Sequence, residues 1–521
     1  MTESEEKRER FTWHWSDAAS VVSYAAWQAA APLFAGTQVT YFLHGIRSVS
    51  PWLERDWQAA TKDPYPVFSS FIEVLARLGV LDAGTRACQV LLAAALYLGV
   101  RAIVSAKGSL LVSLVSLAVA TSALTDEALA GHFALDADFA PTSVCALLVL
   151  AIGLRRFSWL SILPVALALL IHPMFCLSAA LLVLWSAHQG TTGPWRTVDR
   201  TWPRATCTGP GGSRRTFLVV HGALLAFSVI VALWTLARFR ETDEAIAAQG
   251  RSVLLWRIRY HVNPELWLKG TFPSSETPWV TRYEYPSALT GALNAGRAAL
   301  WVIGIVALRK LRRPEHQILS AAGVITLAGV VLALVTKNEV VRVWMPWRVS
   351  TWALHVAGAG LAAWVFSLPS AVVGRRFAAG MMVASAAWIV FDTIVGRHGM
   401  AFVRGSAYVE AMREAKGALP PSLCAAVPVT WFKARTRGEW CIFVDRKTHP
   451  YAANELVEWK RRVDVAQRFY DGASCELLDE PGVDVVFAPA GFRTSCALEP
   501  FRTIGRVDVY LNRAARNGAR R

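Results

Sequence analysis

One carboxylate is the leading candidate for acid–base chemistry. Asp56 lies between Arg55 and Trp57, in an aromatic segment that follows the first apolar run. A carboxylate that packs against an aromatic ring near a membrane has a raised pKa, so it can accept a proton near neutral pH. Asp is also a frequent capping residue, whose side chain accepts a backbone hydrogen bond at the beginning of a helix. The sequence leaves both roles open for Asp56: general base or helix cap.

A pair of carboxylates further along the chain has the spacing of a cation site. Asp136 and Asp138 flank one alanine and precede Pro141. Oxygen ligands of this kind bind hard divalent cations, so a divalent cation is the cofactor that the pair could hold. The alternative is a helix N-cap before the proline. We expect Asp136 and Asp138 to bind either the acceptor substrate or such a cation.

Histidines and arginines near the ends of apolar runs are candidates for binding an anion. Arg342 and Arg348 flank two tryptophans, and arginine forms paired hydrogen bonds with phosphate. His172 precedes Pro173, which ends a helix, so its ring can donate to a phosphate or bond a freed carbonyl group. His44 lies in a segment rich in aromatic residues. We expect these four side chains to bind substrate; the alternative is an aromatic belt that anchors the protein at the lipid headgroups.

Long apolar runs separate these polar segments. The chain has 521 residues, of which 54% are hydrophobic, and a net charge of +16. A helix of about 20 apolar residues crosses the roughly 30 Å of hydrocarbon in a bilayer. The runs therefore predict an α-helical polytopic membrane protein with about eleven transmembrane helices in a domain over residues 16–395. They cover residues 16–36, 87–106, 110–124, 142–154, 159–171, 174–186, 217–237, 298–308, 318–336, 349–368 and 377–395.

The distribution of basic residues predicts the orientation of these helices. Arg and Lys concentrate in alternate turns, such as 309–313, and basic turns face the cytoplasm. This places residues 1–15 in the cytoplasm and two long loops, 37–86 and 238–297, on the outer face of the plasma (inner) membrane. Within the first loop, residues 67–78 have the spacing of an amphipathic helix on the membrane surface. Basic turns beside anionic lipid explain the net charge, so membrane lipids are the expected partners and nucleic acid is not.

The last quarter of the chain, residues 396–521, differs from the rest in its frequent charges, prolines and cysteines. We call it the tail. The residue pattern of the tail predicts a small extracytoplasmic α/β domain, with a helix at 453–471 and strands at 439–444, 483–489 and 506–511. An even number of cysteines outside the cytoplasm predicts two disulfides, with four unpaired thiols as the alternative. The cysteines are Cys424, Cys441, Cys475 and Cys496.

This layout resembles the GT-C superfamily of polytopic glycosyltransferases, which includes oligosaccharyltransferases and protein O-mannosyltransferases. Those enzymes have a cytoplasmic N-terminus, an essential acidic residue in a long first outer loop, further acidic residues in the second and often an outer C-terminal domain. The matching features are Asp56, the acidic residues between 126 and 138, and the tail. The chain is also similar to a bacterial membrane family of unknown function through short motifs. These are Tyr41-Phe42-Leu43-His44-Gly45, Asp56-Trp57, His172-Pro173, Pro346-Trp347-Arg348, Asp445-Arg446-Lys447-Thr448-His449-Pro450 and Glu458-Trp459-Lys460-Arg461-Arg462.

The resemblance implies sugar transfer from a polyprenyl-phosphate donor to an acceptor on the outer face of the membrane. In that reaction Asp56 is the base, Asp136 and Asp138 bind acceptor or metal, and Arg342 and Arg348 hold the donor phosphate. Two alternatives stay open. One is a transporter or flippase for a lipid-linked or anionic solute, and the other is a non-catalytic membrane assembly protein whose tail binds a partner.

Overall fold

The computed structural model of the protein describes residues 38–104, 139–154, 158–192, 214–258, 262–265, 287–350, 352–367 and 407–512, with scattered residues at 17–26 and 376–387. Helices and strands are numbered in chain order within these ranges. The helices are α1 (Gln38–Tyr41), α2 (Leu43–Arg47), α3 (Pro66–Arg77), α4 (Leu81–Val104), α5 (Phe139–Gly153), α6 (Ser158–Ile171), α7 (Cys176–Thr192), α8 (Arg214–Arg238), α9 (Glu244–Arg257), α10 (Ser287–Lys310), α11 (Glu315–Thr336), α12 (Glu339–Trp344), α13 (Ala353–Ser367), α14 (Ala407–Lys416) and α15 (Ala453–Tyr470). The strands are β1 (Cys424–Ala426), β2 (Cys441–Ile442), β3 (Val485–Pro489), β4 (Leu498–Ile504) and β5 (Val507–Asn512).

The prediction of about eleven transmembrane helices is wrong. The part of the chain that the structure describes contains two helices long and apolar enough to cross a bilayer, Leu81–Ile103 and Glu315–Thr336. The apolar runs between residues 142 and 186 form α5, α6 and α7, which have 15, 14 and 17 residues. These lengths fall short of the about 20 residues that a crossing needs. The predicted span 110–124, and most of 16–36 and 377–395, lie outside the described residues.

Most apolar runs form a shared helical core instead. Helix α4 packs against α5, α5 packs against α6, and α10 packs against α13. Leu148, Val149 and Val356 have no exposed surface in this core. A continuous apolar run is typical of a buried helix as well as of a membrane span, so the pattern alone does not separate the two.

Two glycines allow α4 and α5 to lie in close contact. A Cβ atom at Gly99 would lie 2.6 Å from the backbone oxygen of Val149, and one at Gly153 would lie 2.6 Å from the backbone oxygen of Gly99. Any larger residue would push the two helices apart, because protein interiors are close-packed and have no room for an added carbon at that distance. The two positions therefore fix the distance between the helices.

Three helices also present apolar side chains on the outer surface. On α11, Val324, Leu327 and Val335 are 67, 65 and 76% exposed. Ile230 on α8 and Val302 on α10 are exposed to a similar degree, 62 and 60%. Exposed apolar faces of this extent mark contact with lipid or with another apolar partner.

The helix α3, Pro66–Arg77, is amphipathic, as the spacing in residues 67–78 predicts. Phe68 and Ile72 are buried in the core, with 2 and 0% exposure. Val67, Val74 and Leu78 lie outside that core at 48, 54 and 68% exposure. The chain therefore has a second apolar surface in this segment. It lies immediately before α4, one of the two described helices that are both long and apolar enough to cross a membrane.

The described part of the tail forms an α/β domain around a five-stranded sheet with strand order β2-β1-β3-β5-β4. Strand β1 pairs in parallel with β2 and β3, and β5 pairs antiparallel to β3 and β4. The predicted helix at 453–471 and the three predicted strands correspond to α15, β2, β3 and β5. Strands β1 and β4 were not predicted. Strand β1 has only three residues, and the side chains of β4 are mostly exposed and lack a buried alternating pattern.

Helices cover both faces of this sheet. Side chains alternate between the faces of a strand, so Val485 and Phe487 pack with Met412 of α14, whereas Val486 packs with Trp459 of α15.

Two disulfides join the four cysteines for which the sequence predicts two bridges, and they pair Cys424 with Cys441 and Cys475 with Cys496.

The tail packs directly on the helical region through α9 and α15. A Cβ atom at Gly250 of α9 would lie 2.6 Å from Cα of Ala453, the first residue of α15. Val253 of α9 belongs to the same buried cluster as Trp459. Tyr65, which precedes α3, donates a hydrogen bond from its hydroxyl group to that of Tyr451 at 3.0 Å. These contacts place the turn before α15 opposite the helical region.

Candidate functional site

A cavity of about 810 Å³ lies between the helical region and the tail. Its walls come from α1, the beginning of α7, the end of α8, helix α9, residues 343–349 and the turn before α15. Most of the lining is apolar, with side chains such as Leu233, Leu254 and Met345. A mostly apolar cavity with a few convergent polar groups is typical of a ligand site.

A row of aromatic rings connects the two walls. The ring of Tyr65 lies 4.7 Å from that of Tyr41, 4.8 Å from that of His172 and 5.8 Å from that of Tyr451, measured between centroids. The row continues to His449, whose ring centroid lies 5.2 Å from that of Tyr451. Rings at these distances stabilise one another and hold the polar atoms they carry in fixed places.

His172, a predicted substrate-binding residue, lines the cavity and is 1% exposed. Its Nε2 atom lies 3.2 Å from the hydroxyl group of Tyr41, whereas Nδ1 has no hydrogen-bond partner among the described residues. Burial, followed by repulsion from Arg348, lowers the pKa of His172 to about 3. The ring is therefore neutral at pH 7 and has one nitrogen available to a ligand.

Arg257, at the end of α9, is the most unusual group in the cavity wall. It is 7% exposed, and its Nη2 atom donates to the backbone oxygen of Lys447 at 3.3 Å. Its Nε atom is buried without a partner, and no carboxylate forms an ion pair with it within the described ranges. Burying a guanidinium group without a carboxylate is costly unless another anion compensates its charge.

Other positive groups surround Arg257. Lys447 and Arg348 line the same cavity. Burial, with a further contribution from Arg257, lowers the pKa of Arg446 to about 10. Burial also raises the pKa of Tyr451, and both Arg348 and Arg257 oppose that rise, so the two guanidinium groups act on the same hydroxyl. This part of the wall therefore has a positive potential.

His449 lies between this positive group and the aromatic row. Burial, followed by repulsion from Arg257, lowers the pKa of His449 to about 3. An imidazole that stays neutral beside an arginine can donate or accept a hydrogen bond without adding to the local charge. A bound anion would reverse the effect of Arg257 on this ring, so its protonation would respond to the ligand.

Asp56 is placed away from the cavity and is fully buried. Its Oδ1 atom accepts a hydrogen bond from the backbone of Ala59 at 2.9 Å, which is the capping interaction considered for it. Its Oδ2 atom accepts from Nε of Arg435 at 2.8 Å and from the backbone of Ile442 at 3.0 Å. Both oxygens therefore have hydrogen-bond partners within the protein, and one of those bonds reaches the short helix Gln58–Ala60 that follows.

Of the other predicted site residues that the structure describes, some line the cavity and some do not. Arg348 and His172 line the cavity together. Arg342 does not line the cavity. Its guanidinium group donates to Asn263 and Glu265 at 2.5 and 2.6 Å. His44 also does not line it, and burial lowers its pKa. Asp136 and Asp138 lie outside the described residues.

The cavity lining contains few carboxylates among the described residues. No three His, Cys, Asp or Glu side chains come together there as a metal site. Glu241 is the one carboxylate among the described residues that line the cavity, and its Oε1 atom accepts from the backbone of Thr242 at 2.9 Å. The positive groups of the described wall suit the binding of an anion.

Sequence reasoning did not identify Lys447, His449 or Tyr451 as site residues. Arg257 lies in the outer loop 238–297, whose aromatic and basic residues fit either an interfacial belt or a lipid-phosphate site. Lys447 and His449 lie in one of the short motifs on which the resemblance to a bacterial membrane family rests. The meeting of Arg257 with these residues depends on the contact of α9 with α15, which spacing along the chain does not predict. No protein-family model matches the chain, and no curated protein matches it.

Proposed function

We propose that the protein binds a polyprenyl-phosphate lipid in this cavity and uses it as a sugar donor at a membrane surface. The observation that carries the proposal is Arg257, a buried guanidinium group with no carboxylate partner among the described residues, in the wall of a mostly apolar cavity. Such a lipid fits this cavity, because its phosphate can compensate the charge of Arg257 and its apolar chain can lie against the apolar lining.

The phosphate contact is supported by the chemistry of the positive wall. Arginine binds phosphate through paired hydrogen bonds, and lysine binds it as a point charge. Arg257 and Lys447 can both face one phosphate, since Arg257 already donates to the backbone of Lys447 at 3.3 Å. The neutral rings of His172 and His449 can complete the shell of donors.

Two further observations support a membrane surface. The exposed apolar faces of α8, α10 and α11, and the outer face of α3, suit contact with lipid. The two disulfides of the tail are typical of a compartment outside the cytoplasm. In this proposal the tail lies on the outer side of the membrane and covers the phosphate end of the lipid.

In the proposed transfer, an acceptor hydroxyl oxygen forms a bond to the first carbon of the sugar as the bond from that carbon to the phosphate oxygen breaks. The phosphate leaves with the bonding electron pair, and Arg257 and Lys447 stabilise the charge that develops on it. The proton of the acceptor passes to a base at the cavity wall or to water.

A second candidate is movement of the same lipid without chemistry. It is favoured by the scarcity of carboxylates in the described part of the wall, where Glu241 is already engaged with the backbone. Binding of the phosphate lipid is common to both candidates, and turnover of a sugar-bearing lipid separates them.

The experiment compares a short polyprenyl phosphate with the matching polyprenol, which lacks the phosphate, on the purified full-length chain. We expect the phosphate lipid to bind at least tenfold more tightly. Arg257→Met should remove that preference, with a loss of about 10- to 100-fold in phosphate-lipid affinity and little change for the alcohol, because a charged hydrogen bond contributes about 1.5–3 kcal/mol.

Arg468→Met is the matched control, because Arg468 is 49% exposed, pairs with Glu476 and does not line the cavity. It should bind both lipids like the wild type. Equal binding of phosphate and alcohol by the wild type, or full phosphate-lipid affinity in Arg257→Met, would contradict the proposal.

A further inference from the structure

The turn that carries Lys447 and His449 has its shape fixed by one carboxylate. Oδ1 of Asp445 accepts hydrogen bonds from the backbone N–H groups of Lys447 and Thr448, at 2.8 and 2.6 Å. The indole N–H of Trp459 donates to the backbone oxygen of Asp445 at 2.9 Å. The direction in which Lys447 and His449 enter the cavity therefore depends on where Asp445 is held.

Arg435 holds Asp445 in place. Its Nη1 atom donates to Oδ2 of Asp445, and its Nε atom donates to Oδ2 of Asp56 at 2.8 Å. Its Nη2 atom donates to the backbone oxygen of Ile442 at 3.1 Å. Asp56 in turn accepts from the backbone of Ala59 at 2.9 Å. The three charged side chains thus join the segment around Asp56, the strand β2 and the cavity turn.

This buried trio is poorly explained by stability alone. Arg435 is 1% exposed and the two aspartates have no exposed surface. One guanidinium group faces two carboxylates there, and replacing such groups by well-packed apolar side chains often leaves stability unchanged or higher. Charge-assisted hydrogen bonds do fix geometry, since each has a narrow range of lengths and directions. None of the three residues lines the cavity, so they contact the residues that would meet a ligand and not the ligand itself.

We infer that Arg435, Asp56 and Asp445 are positioning residues that hold the 445–450 turn so that Lys447 and His449 face Arg257. The inference rests on the proposed function, because it assigns the trio to the phosphate end of the same cavity. Misplacing the turn would move the backbone oxygen of Lys447 away from Arg257, which donates to it. The segment around Asp56 would therefore control phosphate binding without touching the phosphate.

A double-mutant cycle tests this role. Asp445→Asn keeps the size of the side chain and an oxygen for the two backbone N–H groups, but it removes the charge that Arg435 binds. We expect about a tenfold loss of polyprenyl-phosphate affinity on the full-length chain, with polyprenol affinity unchanged. In a Lys447→Met background the same change should cost clearly less than tenfold, because one of the two side chains that it positions is already gone.

Asp508→Asn serves as the matched control for a general loss of stability in the tail. Asp508 accepts hydrogen bonds from Gly491 and Thr503 and does not line the cavity. It should leave the affinity for both lipids unchanged. A result in which the losses from Asp445→Asn and Lys447→Met simply add, or in which Asp445→Asn weakens both lipids alike, overturns the inference.

Hydrogen exchange without lipid separates failure of this inference from failure of the proposed function. Asp445→Asn should speed exchange at the amides of Lys447 and Thr448 and leave Phe487 and Val509 of the sheet protected. Faster exchange across the whole sheet would show that the trio only stabilises the tail, which overturns the inference. Equal wild-type affinity for phosphate and alcohol overturns the proposed function, and the role in phosphate binding falls with it.

Discussion

Single residues in this protein are placed by partners far away along the chain. Asp56 and Arg435 are 379 positions apart, yet their buried side chains meet at 2.8 Å. Removing one member of a buried ion pair leaves the other charge uncompensated, which is more costly than the pair is favourable. Asp56 is therefore a residue on which the folded state depends.

Asp56→Asn should lower the free energy of unfolding by about 3 kcal/mol, because the amide no longer pairs with Arg435. It should keep the capping bond to Ala59, since Asn caps nearly as well as Asp. Denaturant unfolding followed by tryptophan fluorescence measures the change. Asp471→Asn, at an exposed position that bonds Gln467, should change it by less than about 0.5 kcal/mol. Normal stability with abolished sugar transfer would instead restore Asp56 as the base.

His172 makes the stability of the protein depend on pH. Its pKa is about 3 in the folded protein and about 6.5 in the unfolded chain. Between these values the unfolded state binds more protons, so stability is fully present above about pH 6.5 and falls as the pH drops toward 3. We expect the melting temperature to decrease over this window and to decrease less in His172→Gln. Parallel curves for the two proteins would contradict this prediction.

The site was partly predictable from the sequence at this scale. His172 and Arg348 were expected to bind substrate, because a histidine before proline and an arginine among tryptophans each mark the end of an apolar helix. Both residues line the cavity. Lys447 was not identified, and the segment around Arg257 left an interfacial belt and a lipid-phosphate site both open. The burial of Arg257 and its lack of a described carboxylate partner are properties of the folded chain. Those properties depend on packing between α9 and the tail, and no local pattern encodes them.

At the scale of elements, the contact of α9 with α15 organises the cavity. Gly250 leaves no space for a side chain, since its Cβ atom would lie 2.6 Å from Cα of Ala453. Arg257 lies about two helical turns after Gly250 in α9. Helix α15 follows directly after the turn that contains Lys447. Any separation of the two helices therefore moves the two positive groups apart.

Gly250→Leu should separate α9 from α15 and lower the free energy of unfolding by about 1–3 kcal/mol through overpacking. It should also weaken polyprenyl-phosphate binding more than polyprenol binding, because Arg257 and Lys447 no longer converge. Gly222→Leu on α8 is the control, since a Cβ atom there meets nothing within 4 Å. Equal lipid affinities in wild type and Gly250→Leu would show that the contact does not organise the cavity.

Elements differ in how well their patterns specify them. The helix α15 and the strands β2, β3 and β5 lie where the sequence predicts a helix and strands, because alternating and helical spacings of buried residues are local. The apolar runs of α5, α6 and α7 were predicted as membrane spans but are short helices with side chains in the shared core. Their composition is apolar in both situations, so only the packing separates the two.

At the scale of the whole molecule, the described residues form a helical region and an α/β tail that enclose one cavity between them. Two of the described helices are both long and apolar enough to cross a bilayer, and other helices expose apolar faces. A ligand with a phosphate and a long apolar chain suits both properties: its charged end meets Arg257, and its chain leaves along apolar walls. The tail is therefore part of the site as well as a separate domain.

Photo-labelling with a polyprenyl phosphate that carries a diazirine on its apolar chain tests this arrangement on the full-length protein. We expect labelled peptides from the apolar cavity wall, around Leu233, Leu254 and Met345. Unlabelled polyprenyl phosphate should compete, polyprenol should compete poorly, and Arg257→Met should abolish labelling at these positions. Labelling confined to the exposed faces of α8, α10 and α11, unchanged in Arg257→Met, would contradict a phosphate-lipid site in the cavity.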